Sequence, residues 1–205
     1  QKLKIGYPFT CASADQIPEE DGLINLIEEL RGQNVTINKC VRVGFLVSYP
    51  MYSTRFGSNS TTATNYIRAL SNNMGAIYAL HNVHQKIEDI YIFNTAASDT
   101  FNYTSTVTAL ESFGWSLPAN YMPNSDMFHL LHPGMGGGVA WLNVLCNAVS
   151  TYNGSPYDYR VAVSGALSNT ISNVPTFSWT VEVCTHEFGH NLGSPHTHAC
   201  NWNGA

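Results

Sequence analysis

The chain has 205 residues, 44% of them hydrophobic and only 11% charged, enough for one domain with a substantial core. Nine Lys and Arg against fourteen Asp and Glu leave a net charge of −5, which offers nucleic acid no basic surface. No apolar run reaches the ~18 residues of a membrane-spanning helix, so neither nucleic acid nor a membrane is expected as a partner.

Residues 1–37 contain Pro and Gly and a short helix near Glu20–Leu30, closed by Gly32; they read as an N-terminal extension to a domain spanning 38–205. Cys40–Tyr49 predicts a buried strand through Val41, Val43, Phe45 and Val47. Polar Ser58–Thr64 leads into a long helix through Lys86, with Ile67, Leu70, Met74, Ile77 and Leu80 at helical spacing. Ile87–Phe93 predicts a second strand, Tyr103–Phe113 a helix ended by Gly114, and Met127–Leu131 a third strand. The run His132–Gly138 precedes a fourth strand at Val139–Val144, and Tyr159–Val163 is a fifth. A final helix covers Thr176–Asn191. This alternation implies an α/β fold, a mixed sheet of about five strands with helices on its faces.

Two features between the third strand and the final helix bear on chemistry. Gly136-Gly137-Gly138 lies just before Val139-Ala140-Trp141-Leu142. It reads either as a flexible loop or as a bare backbone edge onto which an extended peptide adds as another strand, and the second reading is preferred. His129 and His132 flank that region, where they could touch substrate; His81 and His84 read as surface or core residues.

The five cysteines (Cys11, Cys40, Cys146, Cys184 and Cys200) are scattered without a CxxC pair, which points to disulfides in an oxidising, extracellular setting. Cys11–Cys40 and Cys146–Cys184 are the expected pairs, the second left open to a different partner for Cys146, and Cys200 is odd. Asn34-Val35-Thr36, Asn59-Ser60-Thr61 and Asn102-Tyr103-Thr104 match glycosylation acceptors. Gln1-Lys2-Leu3-Lys4 opens no signal peptide, as expected of a mature, processed form.

The densest signal is His186-Glu187-Phe188-Gly189-His190-Asn191-Leu192-Gly193-Ser194-Pro195-His196, which satisfies H-E-x-x-H-x-x-G-x-x-H at all five fixed positions. Residues four apart share a helix face, so His186 and His190 can offer two imidazoles to one metal. Gly193 can take positive φ, end the helix and return His196 as a third nitrogen. Three histidines with an open fourth position typify catalytic zinc, and Glu187 beside them can deprotonate a bound water. His198 is a rival third ligand, but the register set by Gly193 favours His196. Along the helix Phe177, Val181, Cys184 and Phe188 form one stripe, expected to face a core. Trp179, Val183, His186 and His190 form another, expected to face a cleft.

These residues resemble the zinc signature of the metzincin metalloproteases, and Asn191-Leu192-Gly193 is most similar to the reprolysin (adamalysin-like) branch. Gly136 to Cys146 resembles that branch's substrate-binding edge strand and the cysteine after it, and Ser194 to Cys200 is similar to bacterial secreted members. The resemblance implies a metzincin-type twisted sheet with an antiparallel edge strand, a long helix after the first strand and an active-site helix. It implies a secreted zinc endopeptidase acting on protein or peptide substrates, with His186, His190 and His196 as ligands and Glu187 as general base. Substrate would then lie antiparallel along Gly137, Gly138, Val139, Ala140, Trp141 and Leu142. Zinc is the implied cofactor; whether calcium also binds is left open.

Two departures keep other readings in view. Thr197 stands where reprolysins carry Asp and is similar to the pappalysin branch. No methionine follows His196, where metzincins place a methionine-bearing turn, so that part is expected to come from a C-terminal fragment of the same precursor, which would also hold the mate of Cys200. A metzincin-fold binding module with little catalysis is the alternative function; the intact Glu187 argues against it. A hydrolase of non-peptide amides is a third, disfavoured by the glycine-flanked edge strand.

Overall fold

Strand β1 (Val41–Val47) is buried without alternation from Val43 onward, because it has a parallel neighbour on each side and packed helices above and below. The computed structural model describes residues 40–147, 149–171 and 178–196. From β1 the chain passes through α1 (Tyr49–Arg55), α2 (Ser60–Ala79), β2 (Gln85–Ile92), α3 (Thr106–Trp115), β3 (Met127–Leu131) and β4 (Gly138–Ala140). A small hairpin, β5 (Ser150–Tyr152) and β6 (Ser155–Tyr157), precedes β7 (Val161–Ser164) and α4 (Trp179–Asn191).

The five-stranded sheet runs β2-β1-β3-β7-β4, parallel throughout except for β4, which pairs antiparallel with β7. Among the described residues β7 is β4's one sheet neighbour, so β4 is an edge. Two cores sandwich the sheet. On one face α2 and α4 pack Ile67, Leu70, Met74, Val181, Cys184 and Phe188 against Val43, Phe45 and Val47. On the other, α3 packs Ala109, Leu110 and Phe113 against Phe128, Leu130, Val139, Val161 and Val163.

Local chemistry starts the helices. The Asn59 side chain accepts from Thr62 N at the start of α2, and Ser105 and Thr108 form a reciprocal capping box at α3. Several sequence-based boundaries move. The long helix stops at Ala79 rather than Lys86, because the chain turns through Asn82 at φ 55° and residues from Gln85 pair with β1. The fourth strand is three residues long instead of six: past Ala140 the amides of Asn143 and Val144 donate to His190 O and Asn191 O, pulling the chain from the sheet onto α4. Helix α1 and the β5–β6 hairpin have no counterpart in the periodicity. The hairpin strands are three residues each, and the seven residues of α1 mix polar and apolar side chains around Pro50, so neither shows a period.

The glycine run is neither loose nor bare. Gly165 N donates to Gly137 O, Ala166 N to Gly134 O and Leu167 N to His132 O, so the turn before β4 is strapped to the turn after β7.

The expected Cys146–Cys184 disulfide is not formed. Cys184 is fully buried in the core under α4 and Cys146 is exposed beyond the edge strand, and both are free thiols, as is exposed Cys40. Cys11, Cys200, Thr197, His198, Phe177, the Asn34 acceptor and the helix near Glu20–Leu30 lie outside the described residues. No described helix is long and apolar enough to cross a membrane.

Candidate metal centre

The last two turns of α4 carry His186 and His190 on one face, their ring centroids 4.5 Å apart. Gly193 sits at φ +101°, a conformation that ends the helix at little cost only for glycine, and the chain doubles back. His196 thereby reaches the pair, its ring 4.6 Å from that of His190 and 5.4 Å from that of His186. One ligand atom from each histidine lies within 4.8 Å of the others. No other such group of three His, Cys, Asp or Glu side chains occurs among the described residues.

The donor set suits a divalent ion with a preference for nitrogen. His190 Nδ1 lies 2.7 Å from Ser194 O, and since a carbonyl only accepts, Nδ1 carries the proton. The lone pair of the neutral ring is therefore on Nε2, which faces His186 Nε2 at 2.9 Å. His186, His190 and His196 would hold one divalent ion through ring nitrogens, and zinc is an ion that such a three-histidine set suits. The Ser194 carbonyl is the kind of outer partner that fixes the tautomer and orientation of a ligating imidazole.

Glu187 is fully buried and lies against β4. A Cβ on Gly138 would fall 2.5 Å from Glu187 Cγ, 2.6 Å from Oε1 and 2.7 Å from Cδ. Glycine at 138 thus makes room for the carboxylate, a role that reading the run as a bare peptide-binding edge does not supply. Gly138 and Glu187 are brought together, and Val139 turns its side chain to the opposite core.

Three contacts that local sequence reasoning missed hold this arrangement. Asn191 Nδ2 donates to Trp141 O at 2.9 Å and Val161 O at 3.2 Å, tying the end of α4 to the edge strand and to β7. Tyr78, on α2, donates its hydroxyl to Thr185 O at 2.6 Å, just before the first histidine. Burial raises the Tyr78 phenol well above its ordinary range, so it stays protonated as a donor. The third contact is the backbone clasp of Asn143 N on His190 O. Each partner lies about 30 to 110 positions away in the chain, where no spacing rule reaches.

The helix is buried almost all round instead of along one stripe: Val181, Cys184 and Phe188 are in the core as expected, Val183 joins the same core, and His190 is buried too.

The remaining histidines take other places. His129 is in the centre of the sheet, stacked on Phe45, with Nε2 2.8 Å from Ser164 Oγ. Burial pushes it down to about 3, so it is neutral. His132 stacks on Tyr103, and its Nδ1 accepts from Gly134 N at 3.0 Å, holding the glycine turn; burial lowers it also. Both side chains are buried. His81 and His84 are exposed in the turn after α2. Cys184 is pushed up to about 12 by burial, so it is a thiol packed in the core and not a metal-binding thiolate.

Comparison with known proteins adds what the geometry cannot. A search of curated proteins returns no match. Among solved structures, metalloproteinase-II from Bacteroides fragilis is similar over 78% of this chain and 45% of its own, at 17% identity and a TM-score of 0.38; the chain thus spans less than half the length of that protein. The reprolysin-type family model described as metallo-peptidase family M12 matches residues 45–203. That match spans most of the chain and includes every residue of the histidine cluster, and the chain belongs to metallo-peptidase family M12.

Proposed function

We propose that this chain is the catalytic part of a zinc endopeptidase that hydrolyses peptide bonds in proteins, with His186, His190 and His196 holding the metal and Glu187 as general base. The observation that carries the reading is the convergence of three imidazoles with a buried carboxylate pressed against the edge strand of the sheet. Zinc, when bound, supplies a Lewis acid that brings the pKa of a coordinated water toward ~7. Glu187 takes a proton from the attacking water as its oxygen adds to the scissile carbonyl carbon. It then delivers that proton to the amine nitrogen as the C–N bond breaks, leaving a carboxylate and a free amine. In this reading the substrate lies antiparallel along 137–142, backbone to backbone. Asn191, Tyr78 and the clasp from Asn143 hold the ligand helix against that edge, so base and peptide keep their spacing.

An extracellular setting is supported by the lightly charged, Asn-, Ser- and Tyr-rich composition. The deciding experiment is Glu187→Ala with metal analysis. Zinc should stay at one per chain while cleavage of a protein substrate falls by about 10²–10⁴. Near-normal cleavage with zinc in place would remove Glu187 from this role, and a wild-type protein that takes up no zinc would remove the whole reading.

A further inference from the structure

Three polar side chains lie in a row beneath the ligand helix, and the chemistry above uses none of them. His129 on β3, Ser164 on β7 and Cys184 on α4 are all buried in the core. His129 Nε2 lies 2.8 Å from Ser164 Oγ, and the Ser164 side chain in turn hydrogen-bonds that of Cys184. Burying polar groups is costly, and an apolar trio of the same shape would fill the space as well. Stability alone therefore gives no reason for the row.

The protons fix its direction. His129 Nδ1 meets no partner among the described residues, and a buried N–H without an acceptor is rarer than a bare lone pair. The proton of this neutral ring is accordingly on Nε2, which donates to Ser164 Oγ. The Ser164 hydroxyl proton is left to point at Cys184 Sγ, across the gap between sheet and helix.

That contact lies next to the one that places Glu187. Cys184 and Glu187 are three residues apart on α4 and share a face, with about 5–6 Å between their Cβ atoms. Their counterparts on the sheet match this spacing: Ser164 and Gly138 are direct partners in the β7–β4 pair, where facing positions stand about 4.5–5.5 Å apart. Cys184 on Ser164 and Glu187 on Gly138 are thus neighbouring contacts of one seam. Ser164 is a firm base for it, because its strand pairs with β3 and β4 and its carbonyl accepts from His132 N at 3.0 Å. A slide or rotation of α4 that carried Glu187 off Gly138 would also break the bond to Cys184. An apolar contact tolerates such a slide, and a directional hydrogen bond does not.

We infer that Ser164 is a positioning residue: aimed by His129, its hydroxyl holds Cys184 and fixes α4 in the register that sets Glu187 against Gly138. This rests on Glu187 being the base of the reaction proposed above. Productive geometry has to hold within about 0.5 Å, and an error of about 1 Å costs about 10²-fold, so loss of the contact should cost about tenfold in kcat.

The test uses the zinc-loaded chain, with rates expressed per zinc-bound molecule. Ser164→Ala should lower kcat about tenfold and leave KM within about twofold of wild type. Cys184→Ala removes the other end of the bond, should do the same, and serves if Ser164→Ala does not fold. Cys184→Ser restores an acceptor and should recover kcat to within about threefold of wild type. The decisive arm repeats Ser164→Ala and Cys184→Ala in Glu187→Gln protein. A residue that acts through Glu187 has nothing left to position there, so neither should change the residual rate by more than about twofold, whereas a merely structural role would lower both backgrounds alike. The Glu187 carboxyl signal in carbon-13 NMR, identified by its loss in Glu187→Gln, is read without turnover and should shift in both alanine variants. Wild-type kcat with an unmoved signal, or an equal fall in both backgrounds, overturns the positioning while leaving the reaction intact. A shifted signal in a protein whose wild type cleaves no peptide sustains the positioning and overturns the reaction.

Discussion

Gly138→Ala is the sharpest perturbation the site offers, because one methyl group falls on the proposed base. The new Cβ would stand 2.5 Å from Glu187 Cγ, 2.6 Å from Oε1 and 2.7 Å from Cδ, whereas ordinary contact needs 3.4–4 Å. Glu187 or the strand must therefore retreat by about 1 Å. The strand resists: β4 is paired to β7, and Asn191 holds the next carbonyl, that of Trp141. Most of the displacement should fall on the carboxylate. A misplacement of that size costs about 10²-fold in rate, and overpacking costs about 1–3 kcal/mol of stability, or roughly 2–12 °C in Tm for a domain this large. The expected result is kcat down about 10²-fold with KM little changed. Zinc content should stay the same, since the nearest atoms are all Glu187's. A fluorogenic peptide assay, elemental analysis and a thermal melt read the three quantities. Gly136→Ala, whose Cβ would meet nothing within 4 Å, is the control and should behave as wild type. Gly138→Ala with kcat within threefold of wild type, or with zinc lost, would refute the assigned packing.

Three further outcomes are expected. Asn191→Ala leaves the carbonyls of Trp141 and Val161 without a donor that each now has, and should cost about 1–3 kcal/mol in urea unfolding together with a rise in KM; an unchanged stability would show that the clamp is idle. His196→Ala removes one of the three clustered nitrogens and should leave zinc binding too weak to survive dialysis, read by elemental analysis; full retention would transfer the third-ligand role to another residue. His129 is neutral when folded, held to about 3 against an ordinary 6.5, so between those values the unfolded chain binds the extra proton. Its contribution is complete above about 6.5 and is lost as pH falls toward 3. The slope of stability with pH in that window should flatten in His129→Gln, and an identical slope in both proteins would refute it.

What could be read along the chain was whatever short-range spacing encodes. The motif from His186 to His196 works through an i, i+4 helix face and one positive-φ glycine, both local properties, so the three imidazoles were placed together correctly before any tertiary information. β1, β3 and α2 were legible for a similar reason: a run of five to twenty residues carries enough apolar periodicity to declare itself. The hairpin β5–β6 and helix α1 were not: the hairpin strands are three residues each, and α1 mixes polar and apolar residues around Pro50.

The tertiary structure decided everything that depends on which distant segments meet. Spacing left the glycine run ambiguous between loop and edge. The fold made it a strapped turn leading into an edge strand, with Gly138 emptied of a side chain for Glu187. Cysteine arithmetic paired Cys146 with Cys184, whereas packing buried one in the core and exposed the other. Tyr78 and Asn191 looked like ordinary polar residues until helix packing and strand pairing set their donors against Thr185 O, Trp141 O and Val161 O. Local geometry specifies the histidine cluster because one helix and one turn contain it; the position of Glu187 against the edge strand is a property of how α4 docks on the sheet, which no stretch of sequence contains by itself.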